Sequence, residues 1–251
     1  MQKFNELILH TFYIPGDITD QNFLSEEESK HAIRVLRLNN GDYFQVVNGS
    51  GTLVNCVIKN ADPKRCRFEV TAVKQINRKP YYIFLAIAPT KNMDRMEWMI
   101  EKCTEIGIDE ISFFHSEYSE RKTLKLDRLI RKSISALKQS NNYYLPKLNP
   151  IESFESILAK IPHDYDKFIA FLSEKKQNHL IREAVTGNKY CVLIGPEGDF
   201  SMNEIDQAVQ KGFKPVSLGD TILRTETAGI YACTALNILN QENKSGIGNY
   251  G

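Results

Sequence analysis

The feature that most constrains the fold is an alternation of short apolar runs and amphipathic segments, which begins after Pro80 and continues almost to the end of the chain. Such alternation is typical of an α/β domain with a parallel sheet, because consecutive parallel strands need a helix to cross over between them. The most continuous run, 190–194, indicates a strand that is buried on both faces. We therefore predict an α/β domain with a parallel sheet over residues 79–251.

The individual elements of this domain follow from local patterns. Apolar runs predict strands over 82–88, 111–114, 168–172, 190–194 and 215–218. Apolar residues at helical spacing predict helices through 93–106, 126–137, 154–158, 205–209 and 226–239. Gly107 is expected to cap the first of these helices, and Ser201 with Glu204 forms the capping-box pattern for the fourth. Pro146 and Pro150 indicate a connecting stretch.

The first 78 residues have a different character and predict a small β-barrel domain. Their β-branched and aromatic runs lie at 12–14, 43–47, 52–58 and 67–73, with a turn sequence at 48–51 that indicates a hairpin. Ser25 and Glu28 form a second capping-box pattern. Ala32, Val35 and Leu36 are expected to form the buried stripe of the helix that follows.

The composition argues against a disordered, a collagen-like or a membrane protein. The 251 residues are 42% apolar and 25% charged with a mean hydropathy of -0.36, as in soluble globular proteins. The five cysteines include no C-x-x-C pair, the histidines lack metal-ligand spacing, and the N-terminal apolar run 7–9 is too short for a signal peptide. We expect a cytoplasmic protein with no metal and no membrane partner, ending in a frayed polar tail from Gln241.

Two loops of the α/β domain are candidates for a binding site, because ligands bind beyond the carboxyl ends of parallel strands. In the first, 195–198, glycines allow close approach to backbone N–H groups; a plain Gly-Pro turn explains the same residues. The second, 218–228, contains Arg224, whose guanidinium suits a phosphate or a carbonyl oxygen. Thr225 and Glu226 there also fit a helix N-cap and a favourable charge in the first helical turn. Neither loop is a dinucleotide or Walker motif.

Basic residues are clustered although the net charge is only +1. Residues 59–79 contain seven basic side chains against two acidic ones, and residues 121–138 contain seven against one. Charge runs are often only solvated surfaces, but two such clusters in a nearly neutral chain favour a polyanionic partner, with RNA the natural candidate.

The sequence Leu-Ile-Gly-Pro-Glu-Gly at 193–198, together with Ser-Leu-Gly at 217–219 and Ile-Leu-Arg-Thr-Glu-Thr-Ala at 222–228, resembles the motifs of the 16S ribosomal RNA (uracil-N3)-methyltransferase family (RsmE), a branch of the SPOUT methyltransferases. Segments 31–37, 96–107, 119–121 and 138–146 are similar to further family motifs, so the resemblance spans the chain.

The resemblance implies a PUA-like β-barrel for RNA over residues 1–78 and a SPOUT domain over 79–251 whose end is tied into a deep trefoil knot. It also implies a homodimer that methylates N3 of uridine 1498, in the usual rRNA numbering, in 16S rRNA of the small ribosomal subunit. The alternatives are a ribose 2′-O-methyltransferase on the same scaffold and a non-catalytic RNA-binding assembly factor.

Residue roles also follow from the resemblance. S-adenosylmethionine is expected to bind Leu172, Ile194, Gly195, Pro196, Glu197, Gly198, Leu218, Gly219, Ile222, Leu223, Thr225, Thr227 and Ala228. From the clustering of basic residues, RNA is expected to bind Lys64, Arg65, Arg67 and Arg121, joined by His31, Arg34 and Arg37 on the capped helix.

Catalysis is assigned to two residues as a hypothesis: Arg224 would stabilise negative charge on the uracil, and Glu226 would accept the N3 proton, a role that water also fits. The chain departs from the family at three places, with Thr11 and Asn142 where arginine is frequent and Asp199 where a second glycine is frequent. The resemblance therefore carries no RNA contact to Thr11 or Asn142. Asp199 is expected to be tolerated near a helix N-terminus.

Overall fold

The computed structural model describes residues 9–173 and 176–242. The start of the N-terminal apolar run and the polar tail beyond 242 lie outside the described residues. Contacts divide the chain into two compact units. The first consists of 1–78 and 137–145, and the second consists of 79–136 and 146–251.

The first unit is built on a four-stranded sheet in the order β1-β2-β3-β4. Its strands are β1 Thr11–Tyr13, β2 Tyr43–Val47, β3 Thr52–Asn60 and β4 Arg67–Gln75. β1 is parallel to β2, and the predicted hairpin is confirmed as the antiparallel pair β2 and β3. Phe12, Phe44 and Phe68 pack edge to face in the core of this unit, which gives the sheet a buried apolar side.

The helical segment of the first unit differs from its prediction. Helix α1, Glu26–Lys30, begins at the predicted cap, where Ser25 Oγ accepts from the Glu28 N–H at 3.3 Å. The second half of the predicted capping box is wrong, because the Glu28 carboxylate accepts from Lys138 Nζ at 2.8 Å instead. The chain then widens into a π-helical turn over His31–Val35. The extra residue in this turn places Val35 outward, 67% exposed, so its predicted burial is wrong.

The second unit is a parallel six-stranded sheet with helices on both faces, which confirms the predicted α/β class. The strands are β5 Tyr82–Ile87, β6 Glu110–His115, β7 Lys147–Ser153, β8 Tyr165–Ala170, β9 Lys189–Ile194 and β10 Lys214–Val216. The helices are α2 Met93–Ile106, α3 Leu126–Gln139, whose last three residues belong to the first unit, α4 Phe154–Lys160, α5 Leu180–Glu183, α6 Met202–Gln210 and α7 Thr225–Glu242. The strand order is β10-β8-β9-β5-β6-β7.

Two caps of this unit confirm their predictions. Gly107 ends α2 with a φ of +99°, a left-handed conformation that glycine adopts without a side-chain clash. Ser201 and Glu204 form both hydrogen bonds of the capping box at the start of α6. The end of α2 and the start of α6 are therefore fixed by local sequence.

Three strand predictions of the second unit require correction. Residues Lys147–Ser153 form β7 although they contain Pro150, because β7 is the outermost strand and its register against β6 shifts between Ile111 and Phe113. β8 and β10 each end two residues earlier than predicted, at Ala170 and Val216. Their last apolar residues lie in loops at the carboxyl edge of the sheet rather than in strands.

Alternate residues of the central strands pack into two cores. Leu85 and Val192 face the core formed with α2 and α7, while Ala86 and Leu193 face the core formed with α4 and α6. This packing covers both faces of the sheet and leaves its carboxyl edge as the open surface. Within residues 9–173 and 176–242, no helix has the length and apolar character that a membrane span requires.

Candidate active site

A cavity of about 270 Å³ lies at the carboxyl ends of β8, β9 and β10, where a parallel sheet is expected to bind ligands. Its wall combines strand ends, the loops that follow them and the first turn of α7. The lining residues are Ala170, Phe171, Leu172, Ile194, Gly195, Pro196, Glu197, Asp199, Val216, Ser217, Leu218, Gly219, Thr221, Ile222, Leu223, Arg224, Thr225 and Ala228.

Most residues with a predicted site role meet at this cavity. Of the predicted set, Leu172, Ile194, Gly195, Pro196, Glu197, Leu218, Gly219, Ile222, Leu223, Arg224, Thr225 and Ala228 line it. Gly198, Thr227 and Glu226 do not belong to the lining. The lining also contains Ala170, Phe171, Asp199, Val216, Ser217 and Thr221, to which no site role was predicted, although Thr221 belongs to the second candidate loop. For the residues at the ends of β8 and β10, this position was the available signal, and it was obscured because both strands were predicted too long.

The two glycines of the first candidate loop are required by packing within the protein. A Cβ on Gly195 would lie 3.1 Å from the Phe200 ring. A Cβ on Gly198 would lie 3.0 Å from Cβ of Tyr118, in the loop after β6. Close approach to backbone was the predicted reason for these glycines, and at Gly198 the neighbour that approaches is a tyrosine of the chain itself.

Asp199 joins the loops on two sides of the cavity. Its backbone is left-handed, with a φ of +62°. Its carboxylate accepts from the Leu172 N–H and from the Phe200 N–H, both at 2.8 Å. The predicted tolerance of aspartate in place of glycine thus has a structural reason, since these hydrogen bonds offset the strained conformation.

Arg121 ties the loop after β6 to the loop after β5. Its Nε donates to the Thr90 carbonyl at 3.0 Å, and its Nη2 donates to the Lys91 carbonyl. The Lys91 N–H in turn donates to Glu197 Oε1 at 3.3 Å, which links both loops to the turn after β9. Arg121, predicted to bind RNA, therefore has donors engaged in fixing this edge of the sheet.

The two predicted catalytic residues lie at the start of α7 in different environments. Arg224 is exposed on the cavity wall. Glu226 is buried, and its Oε1 lies 3.7 Å from Nε of Arg95, a residue of α2 that sequence reasoning missed. The other oxygen, Oε2, is buried with no hydrogen-bond partner among the described residues. A buried acceptor without a donor is costly, so it is a natural contact for a bound group.

Two basic residues of α3 pair with the acidic side of α2. Arg128 pairs with Asp94 at 3.2 Å and also with Glu97, while Lys132 pairs with Glu101. These two residues of the predicted polyanion surface therefore belong to an ion-pair network between two helices. Long-range pairing of this kind is invisible in local charge counts.

The other predicted RNA-binding residues are exposed on the first unit. They are His31, Arg34, Arg37, Lys64, Arg65 and Arg67. Arg65 lies over the Phe23 ring at 4.3 Å, and Arg37 has a φ of +57° immediately beyond the π-helical turn. A half-exposed aromatic ring beside guanidinium groups is a surface suited to nucleic acid.

The cavity fits a nucleoside-type cofactor in size and chemistry. Apolar walls from Ile194, Leu218 and Leu223 suit a planar base, and the polar groups of Ser217 and Thr225 suit a ribose or an amino-acid tail. Over the described parts of the chain there is no group of three or more His, Cys, Asp or Glu side chains able to hold a metal ion.

Comparisons with known proteins agree with this geometry. Family models match residues 77–237 as an RNA methyltransferase domain and residues 24–71 as an RNA methyltransferase PUA domain. Ribosomal RNA small subunit methyltransferase E of Aquifex aeolicus is 31% identical over 88% of this chain and 95% of its own length. The Synechocystis protein of the same name is 32% identical over 82% of this chain and 69% of its own.

Solved structures give the same result. A probable rRNA-methyltransferase from Porphyromonas gingivalis is 40% identical, with a TM-score of 0.88 over 94% of this chain and 100% of that one. Ribosomal RNA small subunit methyltransferase E from Neisseria gonorrhoeae, solved bound to S-adenosyl methionine, is 27% identical, with a TM-score of 0.84 over 92% and 98%.

The fold, the cavity at the carboxyl edge and the matching domain models define an RNA methyltransferase with a PUA-like domain. More particularly, the chain belongs to the ribosomal RNA small subunit methyltransferase E family. The predicted family is thereby confirmed, as is the predicted class of enzyme, an rRNA methyltransferase that uses S-adenosylmethionine.

Proposed function

We propose that this enzyme methylates N3 of one uridine in 16S rRNA of the small ribosomal subunit, at position 1498 in the usual rRNA numbering. The observation that carries the proposal is the cavity at the carboxyl ends of β8, β9 and β10, with the guanidinium of Arg224 on its wall. The names of the relatives support the small subunit as the partner.

The cofactor is proposed to lie among the residues of the cavity wall. Leu172, Ile194 and Ile222 contribute apolar contacts, while the backbones of Gly195 and Gly219 allow close approach. Glu197, Pro196, Leu218, Leu223, Thr225 and Ala228 complete the proposed binding set. When bound there, S-adenosylmethionine supplies an electrophilic methyl group.

Arg224 is proposed to stabilise the uracil as its N3 proton is removed. Loss of this proton places negative charge on the two carbonyl oxygens that flank N3. An exposed guanidinium presents several N–H donors in a fixed plane and matches such oxygens. Preorganised donors of this kind lower the barrier because they need no rearrangement during the reaction.

Glu226 is proposed to accept the N3 proton at Oε2. The carboxylate is held by α7 and by Arg95, 3.7 Å from its other oxygen, so the unpartnered Oε2 is left to receive a donor. Glu226→Gln keeps the shape of the side chain and removes the basic oxygen pair, which makes it the discriminating variant.

A deep trefoil knot is proposed for the C-terminal segment. In its support, the chain after β10 runs beside the long connection that follows β8: the Ser217 N–H donates to Asn178 O at 2.9 Å, and the Leu180 N–H donates to Ser217 O at 3.0 Å. α7 then returns to pack on β5 and α2. Knotted connections are rare among protein folds.

A homodimer is proposed from the outer surface of α7. Most of this helix is buried, but its apolar residues Tyr231 and Ile238 are 37% and 48% exposed. Ile181 of α5, which contacts α7, and Val185 just beyond the end of α5 are also exposed. A helix with this distribution is normally buried, and a second copy of the chain would cover it.

The exposed basic residues of the first unit are proposed to bind the rRNA substrate, by neutralising phosphates rather than by reading bases. Arg34, Arg37, Lys64, Arg65 and Arg67, together with His31, form this set. Arg121 in the second unit is proposed to contribute with the donors that its loop contacts leave available.

Incubation of the purified protein with small subunits or 16S rRNA and S-adenosylmethionine tests the proposal directly. Digestion to nucleosides followed by mass spectrometry should show the new methyl group on the base fragment of a uridine. A methyl group on the ribose fragment would identify the product of a 2′-O-methyltransferase instead. Absence of any transfer, with cofactor and RNA both bound, would favour a non-catalytic assembly factor.

A further inference from the structure

We propose that the ring of Tyr118 is a stacking surface for an unpaired base of the RNA substrate. The inference rests on the proposed function, and it assigns a subsite to a part of the carboxyl edge outside the cavity. Tyr118 is 51% exposed in the loop that follows β6.

The location of Tyr118 divides the carboxyl edge of the sheet into two halves. The cavity occupies the ends of β10, β8 and β9, and Tyr118 lies in the loop after β6, two strands beyond β9 in the sheet order. The start of α2, where Arg95 contacts Glu226, follows the strand between them. The Tyr118 half therefore lies on the side of the edge away from β8 and β10, beyond the strand that α2 follows.

Tyr118 packs directly on the turn that forms part of the cavity wall. A Cβ placed on Gly198 would come within 3.0 Å of Tyr118 Cβ and 3.6 Å of its Cγ. The neighbouring residues Pro196 and Glu197 line the cavity. A base stacked on the Tyr118 ring would thus be separated from the cofactor by the turn at 196–198.

The loop that carries Tyr118 is held rigidly. The buried carboxylate of Glu204 accepts from the Glu117 N–H through Oε1 and from the Ser201 N–H through Oε2, both at 2.9 Å. The Ser119 N–H donates to Ser116 O at 3.1 Å, and Ser119 Oγ accepts from the Ser116 N–H at 2.9 Å. Because the loop is preorganised, little conformational entropy is lost when the exposed ring binds a ligand. This favours a role in recognition over incidental exposure.

Basic side chains lie on the same loop and on the loop to which it is hydrogen-bonded. Arg121 lies three residues further along the loop, with its guanidinium against the Thr90 and Lys91 carbonyls. The Lys91 ammonium is 78% exposed and pairs with Glu120 at 2.9 Å, an exposed ion pair that a phosphate can replace at little cost. An aromatic ring beside basic side chains is the arrangement by which proteins bind single-stranded nucleic acid.

The test compares Tyr118→Phe, Tyr118→Leu and Tyr118→Ala in the full-length protein. Three quantities are measured for each: kcat/KM for methyl transfer to the rRNA substrate, Kd for the same RNA, and Kd for S-adenosylmethionine. Val209→Ala, an exposed apolar position near the end of α6, is the matched control and should leave all three unchanged. Thermal melting verifies that each variant is folded.

Stacking on one base contributes about 1–3 kcal/mol, so Tyr118→Ala should lower kcat/KM or RNA affinity by about 5- to 150-fold. Tyr118→Phe should retain the wild-type values, and Tyr118→Leu should fall with the alanine variant because it fills space without an aromatic face. Cofactor affinity should stay constant in all three.

Equal RNA binding and turnover in the leucine and wild-type proteins would overturn the inference, as would a loss of cofactor affinity that accounts for the whole effect. Failure of the wild type to methylate RNA would contradict the proposed function separately. In that case the RNA Kd series still decides whether Tyr118 stacks on a base.

Discussion

Replacement of Asp199 by alanine and by glycine gives a sharp test of the site geometry, because the two variants differ only in conformational cost. The native carboxylate forms hydrogen bonds to the Leu172 and Phe200 N–H groups at 2.8 Å each, from a backbone with a φ of +62°. Both variants remove these bonds. Only alanine retains a β-carbon in the left-handed conformation.

The expected magnitudes follow from these contacts. A hydrogen bond to a charged group contributes about 1.5–3 kcal/mol, and the lower figure applies here because Asp199 is partly exposed. Two lost bonds therefore give about 3 kcal/mol of destabilisation for Asp199→Ala, because aspartate and alanine both carry a β-carbon in the left-handed conformation. Asp199→Gly should lose about 1–2 kcal/mol less than alanine, because glycine adopts this conformation freely.

Differential scanning calorimetry measures the outcome. At about 2–4 °C per kcal/mol for a domain of this size, the alanine variant should melt roughly 10 °C below the wild type and clearly below the glycine variant. Both should bind S-adenosylmethionine more weakly, since Leu172 loses its tie to the turn after β9. An alanine variant as stable as the glycine variant would refute the role of the left-handed backbone, and unchanged cofactor affinity would refute the role of the carboxylate in shaping the cavity.

Three further predictions concern catalysis, pH and salt. Arg224→Ala should lower kcat at saturating RNA and cofactor by about 10²-fold or more with little change in cofactor affinity, and near-normal turnover would remove Arg224 from the mechanism. Burial raises the pKa of the Cys56 thiol from 9.0 to about 12 and that of Cys66 to about 11. The stability that these protonated thiols contribute is present below pH 9 and is lost between pH 9 and 12. The free energy of unfolding measured in urea should therefore fall over that range. A flat profile would contradict the burial of the two thiols. RNA affinity should fall as salt rises, and the slope of log affinity against log salt should be about -0.7 per phosphate contacted. Lys64→Ala and Arg67→Ala should each reduce this slope by a fraction of that amount. A salt-independent Kd would exclude phosphate binding by this surface.

Local patterns of the sequence were sufficient for the parallel α/β domain and for most of its helices. Gly107 and the Ser201 capping box fix helix ends through bonds within a few residues, so their signals are complete in a short window. The two candidate loops were also visible, because glycine and polar residues after an apolar strand are local features. The resemblance to a family then supplied the residue roles.

Long-range contacts account for what the sequence did not reveal. Pro150 predicts a break in a strand, and its presence in β7 is explained only by the position of β7 at an edge of the sheet. Glu28 has the spacing of a capping box, but its carboxylate accepts a hydrogen bond from Lys138, which is 110 residues away in the chain. The pairing of Arg95 with Glu226 and the packing of Tyr118 on Gly198 likewise depend on the folded sheet, which brings together loops that are far apart in the chain.

The most direct test of the central claim is a crystal structure of the protein with S-adenosylmethionine. The account predicts cofactor density in the cavity at the carboxyl ends of β8, β9 and β10, in contact with Ile194, Leu218 and Leu223 and with the methyl group facing the α7 N-terminus that carries Arg224. Cofactor bound elsewhere on the chain, or a methyl group turned away from Arg224, would contradict it.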